Sequence, residues 1–327
     1  MSNVQTEDGI GWRARRNRIR GLWFAFTVGA LLLLFIDNLT LWALVVAASA
    51  LLLSLVPRFV PSVTRKVDGR DLVAVAVIYL GVVAAFRLAF TVFTTDNVLG
   101  LFLAFAFGLV LGVVGPIVYQ VWIRSSDLRS LGFGLHQLPQ TLAIGVGLGA
   151  IQFGITFWGY RLPAPVDWVP LLAMSLVVGL FEAVFFRGFI QNRLEASFGL
   201  RPAIAIAASL YSLYHVGYGM GIEEMWFLFG LGVVYAIAFR LTRNNLVLWP
   251  ILTPMGAFFN NLESGDIDLP WASILGFADV AGIMAGAVWL AHRHIRKRAA
   301  GSAESKKPPR VPSRHPRTIP RPVTNDH

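Results

Sequence analysis

The 327-residue sequence contains no cysteine and few charged residues. Without cysteine, disulfides, thiolate metal sites and a cysteine nucleophile are excluded. Only 14% of the residues are charged, whereas 56% are hydrophobic, a balance far from that of an ordinary soluble domain. The chain is therefore expected to be embedded in a membrane, where acid–base chemistry remains open to it.

Successive apolar runs, broken by short loops, approach or exceed the roughly 20 residues that cross a bilayer as a helix. They predict an all-α fold, a polytopic transmembrane helix bundle of about ten spans. The first two spans are separated only by Asp37 and Asn38, so we expect a tight helical hairpin there. The predicted spans are residues 22–36, 39–56, 72–95, 98–123, 141–159, 167–190, 202–218, 225–240, 246–262 and 270–291.

The charges predict the topology. Lysine and arginine number 28 and acidic residues 18, a net charge of +10, and the cations concentrate on alternate loops and in the tail. Under the positive-inside rule, this alternation fits an even number of spans with both termini cytoplasmic. We therefore predict a multi-pass protein of the cell membrane whose basic residues lie at the bilayer edge. Nucleic acid is a poor explanation of the high net charge.

The sequence divides into four parts by composition. Residues 1–21 form a basic cytoplasmic N-terminus, and residues 22–159 form an N-terminal transmembrane region of about five helices. Residues 160–291 hold the motifs described below. The basic, proline-rich segment 292–327 has almost no large apolar residues, so disorder is expected there from about Arg293.

Ionisable residues inside apolar runs are the main functional signal, because charge in hydrocarbon costs several kcal/mol and marks functional sites. Glu182 and Arg187 lie in FEAVFFRGFI, and His215 ends ASLYSLYH. A carboxylate and an imidazole in a low-dielectric cavity can activate water, which suits peptide-bond hydrolysis. A structural ion pair is the competing interpretation. Arg87 and Asp279 also lie within spans, as a candidate structural pair.

These residues resemble a known family, the CPBP intramembrane proteases, which include the Rce1-like CAAX prenyl endopeptidases and bacteriocin-processing or immunity proteins. The family pattern is EExxxR, then FxxxH, then HxxxN or HxxxD, on successive helices. Here EAVFFRG (182–188), YSLYH (211–215) and LVLWPILTPMGAFFNN (246–261) are similar to those motifs. The resemblance covers roughly residues 170–262 and implies a CPBP-like core in the C-terminal half of the chain.

The resemblance implies roles for individual residues. Glu182 would be the general base, His215 its partner in activating water, and Arg187 an electrostatic support. Asn260 would donate a hydrogen bond to the oxyanion, with Asn261 and Tyr211 as further support. This sequence departs from the pattern twice. Ala183 replaces the second glutamate, and Met255, or Pro254 in a shifted register, stands where the third motif has histidine.

A metal cofactor is not expected, although the family has often been labelled metalloprotease. Glu182, His215 and an asparagine make a poor set of zinc ligands, because catalytic zinc usually takes three protein ligands. The sequence therefore predicts a metal-independent endopeptidase that acts on a membrane-anchored or hydrophobic peptide. The alternative is a catalytically inactive scaffold, chaperone or immunity protein that has lost turnover with the third-motif histidine. A transporter is a third interpretation, because midplane charges and broken helices also mark transport sites.

Overall fold

The computed structural model describes residues 35–54, 66–135, 138–253, 257–265 and 268–305, with single residues between 20 and 32. Within these ranges the chain is helical, and no strand occurs. The all-α prediction is therefore confirmed.

The described helices follow the predicted spans closely from residue 39 onward. The predicted span 22–36 lies largely outside the described residues, as do Pro254, Met255 and Gly256. The helices are α1 (Leu39–Ser54), α2 (Gly69–Phe93), α3 (Val98–Ile123), α4 (Leu138–Thr156), α5 (Pro165–Phe198), α6 (Leu200–Leu213), α7 (Ile222–Thr242), α8 (Asn245–Thr253), α9 (Phe259–Ser264) and α10 (Ser273–Ser305).

Five helices of the described ranges are long and apolar enough to cross a membrane, namely α2, α3, α5, α7 and α10. Helix α1 is a shorter apolar helix of the same character. These helices make the chain a multi-pass membrane protein. The total of ten spans and the cytoplasmic placement of the termini remain predictions.

Helix α5 lies at the centre of the bundle. Within its most apolar stretch 72% of the residues are buried, against 22–50% in the other four spanning helices. Close packing on α3 is one cause, because a Cβ built on Gly112 would come within 2.1 Å of the Phe181 ring. A glycine at this position thus lets the aromatic face of α5 lie directly against the α3 backbone.

Small residues also bring α7 close to its neighbours. A Cβ built on Gly230 would lie 2.9 Å from the Ala43 backbone of α1, and one built on Gly232 would lie 3.0 Å from Ala208 of α6. Small residues at helix interfaces are typical of membrane bundles, where van der Waals contact replaces the hydrophobic effect between helices. Helix α7 thereby fixes α1 and α6 on its two sides.

Helix α10 is longer than expected. The last span was predicted to end at residue 291 with disorder from Arg293, but the helix continues to Ser305. The disorder prediction is therefore wrong as far as Ser305. The physical reason is local: the segment RHIRKRAA is rich in arginine, lysine and alanine, which have high helix propensity.

Ion pairs hold the helices together at the end where the arginine-rich loops lie. Glu195 is almost fully buried and lies 3.2 Å from Arg240 and 3.3 Å from Arg243. Nearby, Arg124 lies 2.6 Å from Asp68 and 3.4 Å from Asp71. These contacts join α5 to α7 and the start of α2 to the end of α3, so the base of the bundle is electrostatically fixed.

Candidate active site within the helix bundle

Glu182 lies where α5 changes its winding. The helix is α-helical from Pro165 to Glu182 and π-helical from Ala183 to Gln191. The same winding occurs in parts of α2 and α3. Because a π-helix connects residue i to residue i+5, this winding turns Glu182 and Arg187 toward nearly the same face of α5.

Two phenols bind the Glu182 carboxylate. Tyr214 Oη donates to Glu182 Oε1 at 2.6 Å, and Tyr211 Oη donates to Oε2 at 3.3 Å. Both tyrosines are fully buried, and Glu182 is only 6% exposed. The carboxylate therefore has a hydrogen-bond donor on each oxygen and is held in one orientation between α5 and α6.

Arg187 is buried beside this pair. It is 1% exposed, and its guanidinium carbon lies 5.1 Å from the centre of the Tyr211 ring. Neither of its terminal nitrogens meets a hydrogen-bond partner among the described residues. Within that part of the chain it also forms no ion pair with Glu182 inside 4.0 Å. The site thus contains a cation with two unused donors near a carboxylate.

His215 is held against the phenols rather than against the carboxylate. Its Nδ1 lies 2.9 Å from the carbonyl oxygen of Tyr211, and because a carbonyl only accepts, Nδ1 carries the proton. Its ring packs 4.0 Å from the Tyr214 ring. In the neutral imidazole the free lone pair is therefore on Nε2. The predicted neighbours Glu182 and His215 are brought into one cluster, with Tyr214 between them.

Tyr214 is the residue that sequence reasoning missed. It was read only as part of the YSLYH motif, yet it makes the shorter of the two bonds to Glu182. The signal was present, because Tyr211 and Tyr214 are three residues apart and so share one face of a helix. Because the two tyrosine hydroxyls and His215 share one face of the helix, their spacing indicates a polar face that could contact Glu182.

The N-terminal helices contribute a wall of the site. Phe86 of α2 packs edge-on against Tyr214 at 6.0 Å and lies 4.8 Å from Tyr218. A Cβ built on Gly217 would lie 2.9 Å from Phe86 Cβ, so α2 is in close contact with the turn after His215. In the sequence, the first five spans take no part in the family resemblance beyond being membrane-embedded. The structure places one of them directly against the candidate catalytic residues.

Ala183 occupies a site of close helix packing. It is fully buried in a cluster with Leu231, Tyr235 and Phe239 of α7 and Trp42 of α1. A glutamate side chain at this position would enter the apolar cluster. The alanine that departs from the family pattern is thus the residue that allows α7 to approach α5.

The third motif is described only in part. Met255 and Pro254 lie outside the described residues, and so does the side chain of Asn260, whose backbone belongs to α9. Asn261 is half-buried, and its Nδ2 donates to the carbonyl of Ala257 at 2.6 Å. This amide is therefore engaged with its own helix, and the supporting role of Asn261 stays a prediction.

Arg87 and Asp279 are not paired. Arg87 Nη1 lies 3.4 Å from the carbonyl oxygen of Val216, and Asp279 is exposed on α10. No ion pair joins them in the described part of the chain. The proposed structural pair is therefore wrong. Arg87 instead contacts the turn that follows His215, which the sequence did not indicate.

The donor set of this site does not fit a zinc ion. Both oxygens of Glu182 accept from phenols, and Nδ1 of His215 is engaged with a backbone carbonyl. Only Nε2 remains among the typical ligand atoms of these two residues. No group of three histidine, cysteine, aspartate or glutamate side chains with metal-binding geometry occurs in the described ranges. No step below is therefore assigned to a metal.

The fold and the site show the general class of this protein. It is a multi-pass, all-helical membrane protein with a buried carboxylate, guanidinium and imidazole between its helices. Residues 163–259 match the family model of the type II CAAX prenyl endopeptidases, Rce1-like. The resemblance is thus confirmed for the segment that holds Glu182, Arg187 and His215, and the match ends just before Asn260. The kind of function that this match supports is a CAAX-type intramembrane protease. No curated protein and no solved structure matches the chain.

Proposed function

We propose that this protein is an intramembrane endopeptidase that hydrolyses a peptide bond with water activated by Glu182. The observation that carries the proposal is the oriented carboxylate: Tyr214 and Tyr211 bind its two oxygens inside a helix bundle, where a charge has no solvent to stabilise it. A general base must be held within hydrogen-bond reach of the proton that it removes. The two phenols that donate to Glu182 support the proposal because they hold its carboxylate in a fixed position.

The proposed reaction has four chemical steps: removal of a proton from water, attack on the carbonyl carbon, cleavage of the C–N bond and return of the proton. Glu182 takes a proton from water while the water oxygen forms a bond to the peptide carbonyl carbon, and the carbonyl oxygen becomes an oxyanion. The oxyanion then collapses, the C–N bond breaks, and the protonated Glu182 returns its proton to the leaving amine. The products are a carboxylic acid and an amine, so atoms and charges balance.

Arg187 and His215 supply the remaining groups in this proposal. The two terminal nitrogens of Arg187 have no partner among the described residues, so they are suited to donate to the oxyanion. A single donor of this kind contributes about 3 kcal/mol in other hydrolases. Nε2 of His215 can accept from the attacking water and orient it. Asn260 is a further oxyanion donor by family resemblance.

The substrate class follows from the surroundings of the site. Glu182 and Arg187 belong to a helix long and apolar enough to span a bilayer, and aromatic rings from α2, α5 and α6 surround them. A peptide that reaches them must enter from lipid or from the membrane edge. We therefore propose a membrane-anchored or hydrophobic peptide as the substrate.

A scaffold without turnover is the second candidate, and one observation favours it. Glu182 and His215 are each 6% exposed and Arg187 is 1% exposed, so in the described arrangement the carboxylate faces phenols rather than water. A protein that only binds a partner needs this packing and no water. Opening of the contact between α2 and the turn after His215 would be required for hydrolysis.

The test compares membrane-protein termini by mass spectrometry in cells that express the wild type, Glu182→Gln or Glu223→Gln at equal levels. Glu223 is an exposed carboxylate at the start of α7 and serves as the matched control. We expect a set of termini to vanish with Glu182→Gln and to persist with Glu223→Gln. Identical termini in all three strains, with all proteins folded, would contradict hydrolysis and favour the scaffold.

A further inference from the structure

A long apolar groove runs along the outer seam between α2 and α3, away from the candidate active site. Its volume is about 1040 Å³, at the upper end of the roughly 300–1,000 Å³ of small-ligand sites. The lining residues that matter below are Arg70, Val73 and Val77 of α2 and Leu111, Gly115 and Ile123 of α3.

The groove faces the lipid and not the protein interior. Val73, Val77 and Ile123 are each more than half exposed, and both walls belong to helices that are apolar enough to span a membrane. Gly112, one position beyond the lining residue Leu111, points the other way and packs on Phe181. Groove and candidate active site therefore lie on opposite faces of α3.

The shape of the groove suits a hydrocarbon chain. Aliphatic side chains such as Val73, Val77 and Leu111 form most of its walls. On α3 the lining extends from Ala106 to Tyr119 and beyond, which is about 20 Å of helix. The hydrocarbon core of a bilayer is roughly 30 Å thick, so the groove covers about two thirds of that depth.

The end of the groove is polar and carries spare positive charge. Both nearby carboxylates are already engaged: Asp68 and Asp71 bind Arg124, and Asp71 also accepts from Tyr119 Oη at 2.7 Å. The exposed side chain of Arg70 forms no ion pair in the described part of the chain, and Lys66 is exposed just before it. A negatively charged group at this end would find a guanidinium with free donors.

We propose that this groove binds one anionic phospholipid, with its phosphate on Arg70 and an acyl chain along the seam between α2 and α3. The occupant follows from the two observations together, since a lipid tail alone would not need Arg70 and a free anion would not need the groove. A basic residue near the surface attracts anionic lipid headgroups. The proposal does not depend on hydrolysis at Glu182.

The test measures phosphatidylglycerol bound to the full-length protein, purified in detergent, by native mass spectrometry across a lipid titration. Arg70→Ala removes the phosphate partner, and Val77→Trp fills the groove from an exposed position on α2. Arg129→Ala, an exposed cation at the same end of the bundle, and Leu80→Trp, an exposed residue of α2 outside the groove, are the matched controls.

We expect Arg70→Ala to weaken phosphatidylglycerol binding roughly fivefold or more, because one cation is lost, and Val77→Trp to weaken it because the indole occupies the groove. Both controls should bind as the wild type does. Equal binding by all five proteins would overturn the site, and so would an equal loss in the controls. If inorganic phosphate displaces the lipid completely, or if uncharged diacylglycerol binds as tightly as phosphatidylglycerol, the assignment to an anionic phospholipid is wrong.

Discussion

Tyr214 Oη donates to Glu182 Oε1 at 2.6 Å, inside a cluster of aromatic rings that includes Phe86 and Phe186. Both partners are buried, so neither could exchange this bond for one to water without a movement of the helices. A buried hydrogen bond to a charged group contributes more than one between neutral groups. This bond therefore fixes the position of the Glu182 carboxylate in the packed bundle.

Removal of this hydroxyl is expected to weaken both stability and cleavage. Tyr214→Phe leaves one carboxylate oxygen without its donor, which should lower the free energy of unfolding by about 1–3 kcal/mol. If Glu182 acts as the base, cleavage should also fall by about tenfold or more, because the carboxylate loses its fixed orientation. Unfolding in denaturant and appearance of the product terminus are the two measurements.

Tyr79→Phe is the control for this prediction. Tyr79 Oη donates to the carbonyl of Leu210 at 3.0 Å, away from Glu182. Its loss should cost about 1 kcal/mol of stability and leave cleavage unchanged. A Tyr214→Phe protein that cleaves at the wild-type rate would remove Tyr214 from the mechanism, whatever its stability.

Restoring the second acid of the family motif should damage the protein. Ala183→Glu places a larger, charged side chain in the closely packed cluster of Trp42, Leu231, Tyr235 and Phe239. Overpacking of this contact and burial of a carboxylate both cost free energy, so we expect loss of folded protein in membranes, measured by size-exclusion chromatography after extraction. Ala183→Ser, which keeps the volume nearly constant, should fold. A folded and more active Ala183→Glu would contradict the packing described above.

The contact between Gly112 and Phe181 gives a third prediction. In Gly112→Ala the new Cβ meets the Phe181 ring, so the ring or α3 must move, at a cost of about 1–3 kcal/mol. Gly154→Ala in α4 is the matched control, because nothing lies within 4 Å of a Cβ there. That change should be neutral or stabilise by up to about 1 kcal/mol. Thermal unfolding of the two variants in the same detergent provides the comparison.

Loss of the Glu195 carboxylate should destabilise the base of the bundle. Glu195→Gln leaves Arg240 and Arg243 without the carboxylate that lies 3.2 and 3.3 Å from them. Breaking a buried ion pair by removal of one partner typically costs about 3–5 kcal/mol. We expect lower yield and a lower unfolding midpoint than for Glu223→Gln, whose carboxylate is exposed. Equal midpoints would mean that water compensates the two arginines.

The lowered pKa of the Asp68 carboxyl predicts that the folded protein becomes less stable as the pH falls. The backbone N–H of Arg70 and the Arg124 guanidinium hold the pKa of this carboxyl below its ordinary value of 3.8. A carboxyl with a lowered pKa contributes stability above its unfolded value and loses that contribution as the pH falls through the folded value. The drop in unfolding midpoint between pH 6 and pH 3 should be smaller in Asp68→Asn. Arg124→Gln should also make this drop in unfolding midpoint smaller. A drop equal to that of the wild type in both variants would contradict the stabilising role of ionised Asp68.

The sequence predicted the helices well because apolar run length is a strong signal in a membrane protein. The predicted spans from 39–56 to 225–240 each coincide with one helix, although α5 continues eight residues past its predicted end at 190, and the span 246–262 contains both α8 and α9. The far end of α10 was missed because helix propensity, and not hydrophobicity, extends it to Ser305. A search for apolar runs does not detect the part of a helix that is polar.

The sequence was sufficient to predict which charged residues form the site, but not which hydrogen bonds they make. Glu182, Arg187 and His215 were found because charge in an apolar run is unusual. The phenol bonds of Tyr211 and Tyr214 depend on how α5 turns against α6, and the π-helical winding after Glu182 sets that rotation. Pairing of Arg87 with Asp279 failed for the same reason, because membrane depth says nothing about the direction in which a helix faces.

The length of α10 has a mechanical consequence. At 1.5 Å per residue its 33 residues extend about 50 Å, some 20 Å more than the hydrocarbon core of a bilayer. The ring of His294 packs 5.3 Å from that of Trp122, at the foot of α3, which braces this helix where it leaves the membrane. The basic stretch 293–298 of α10 therefore extends the helix past the length that the hydrocarbon core can cover.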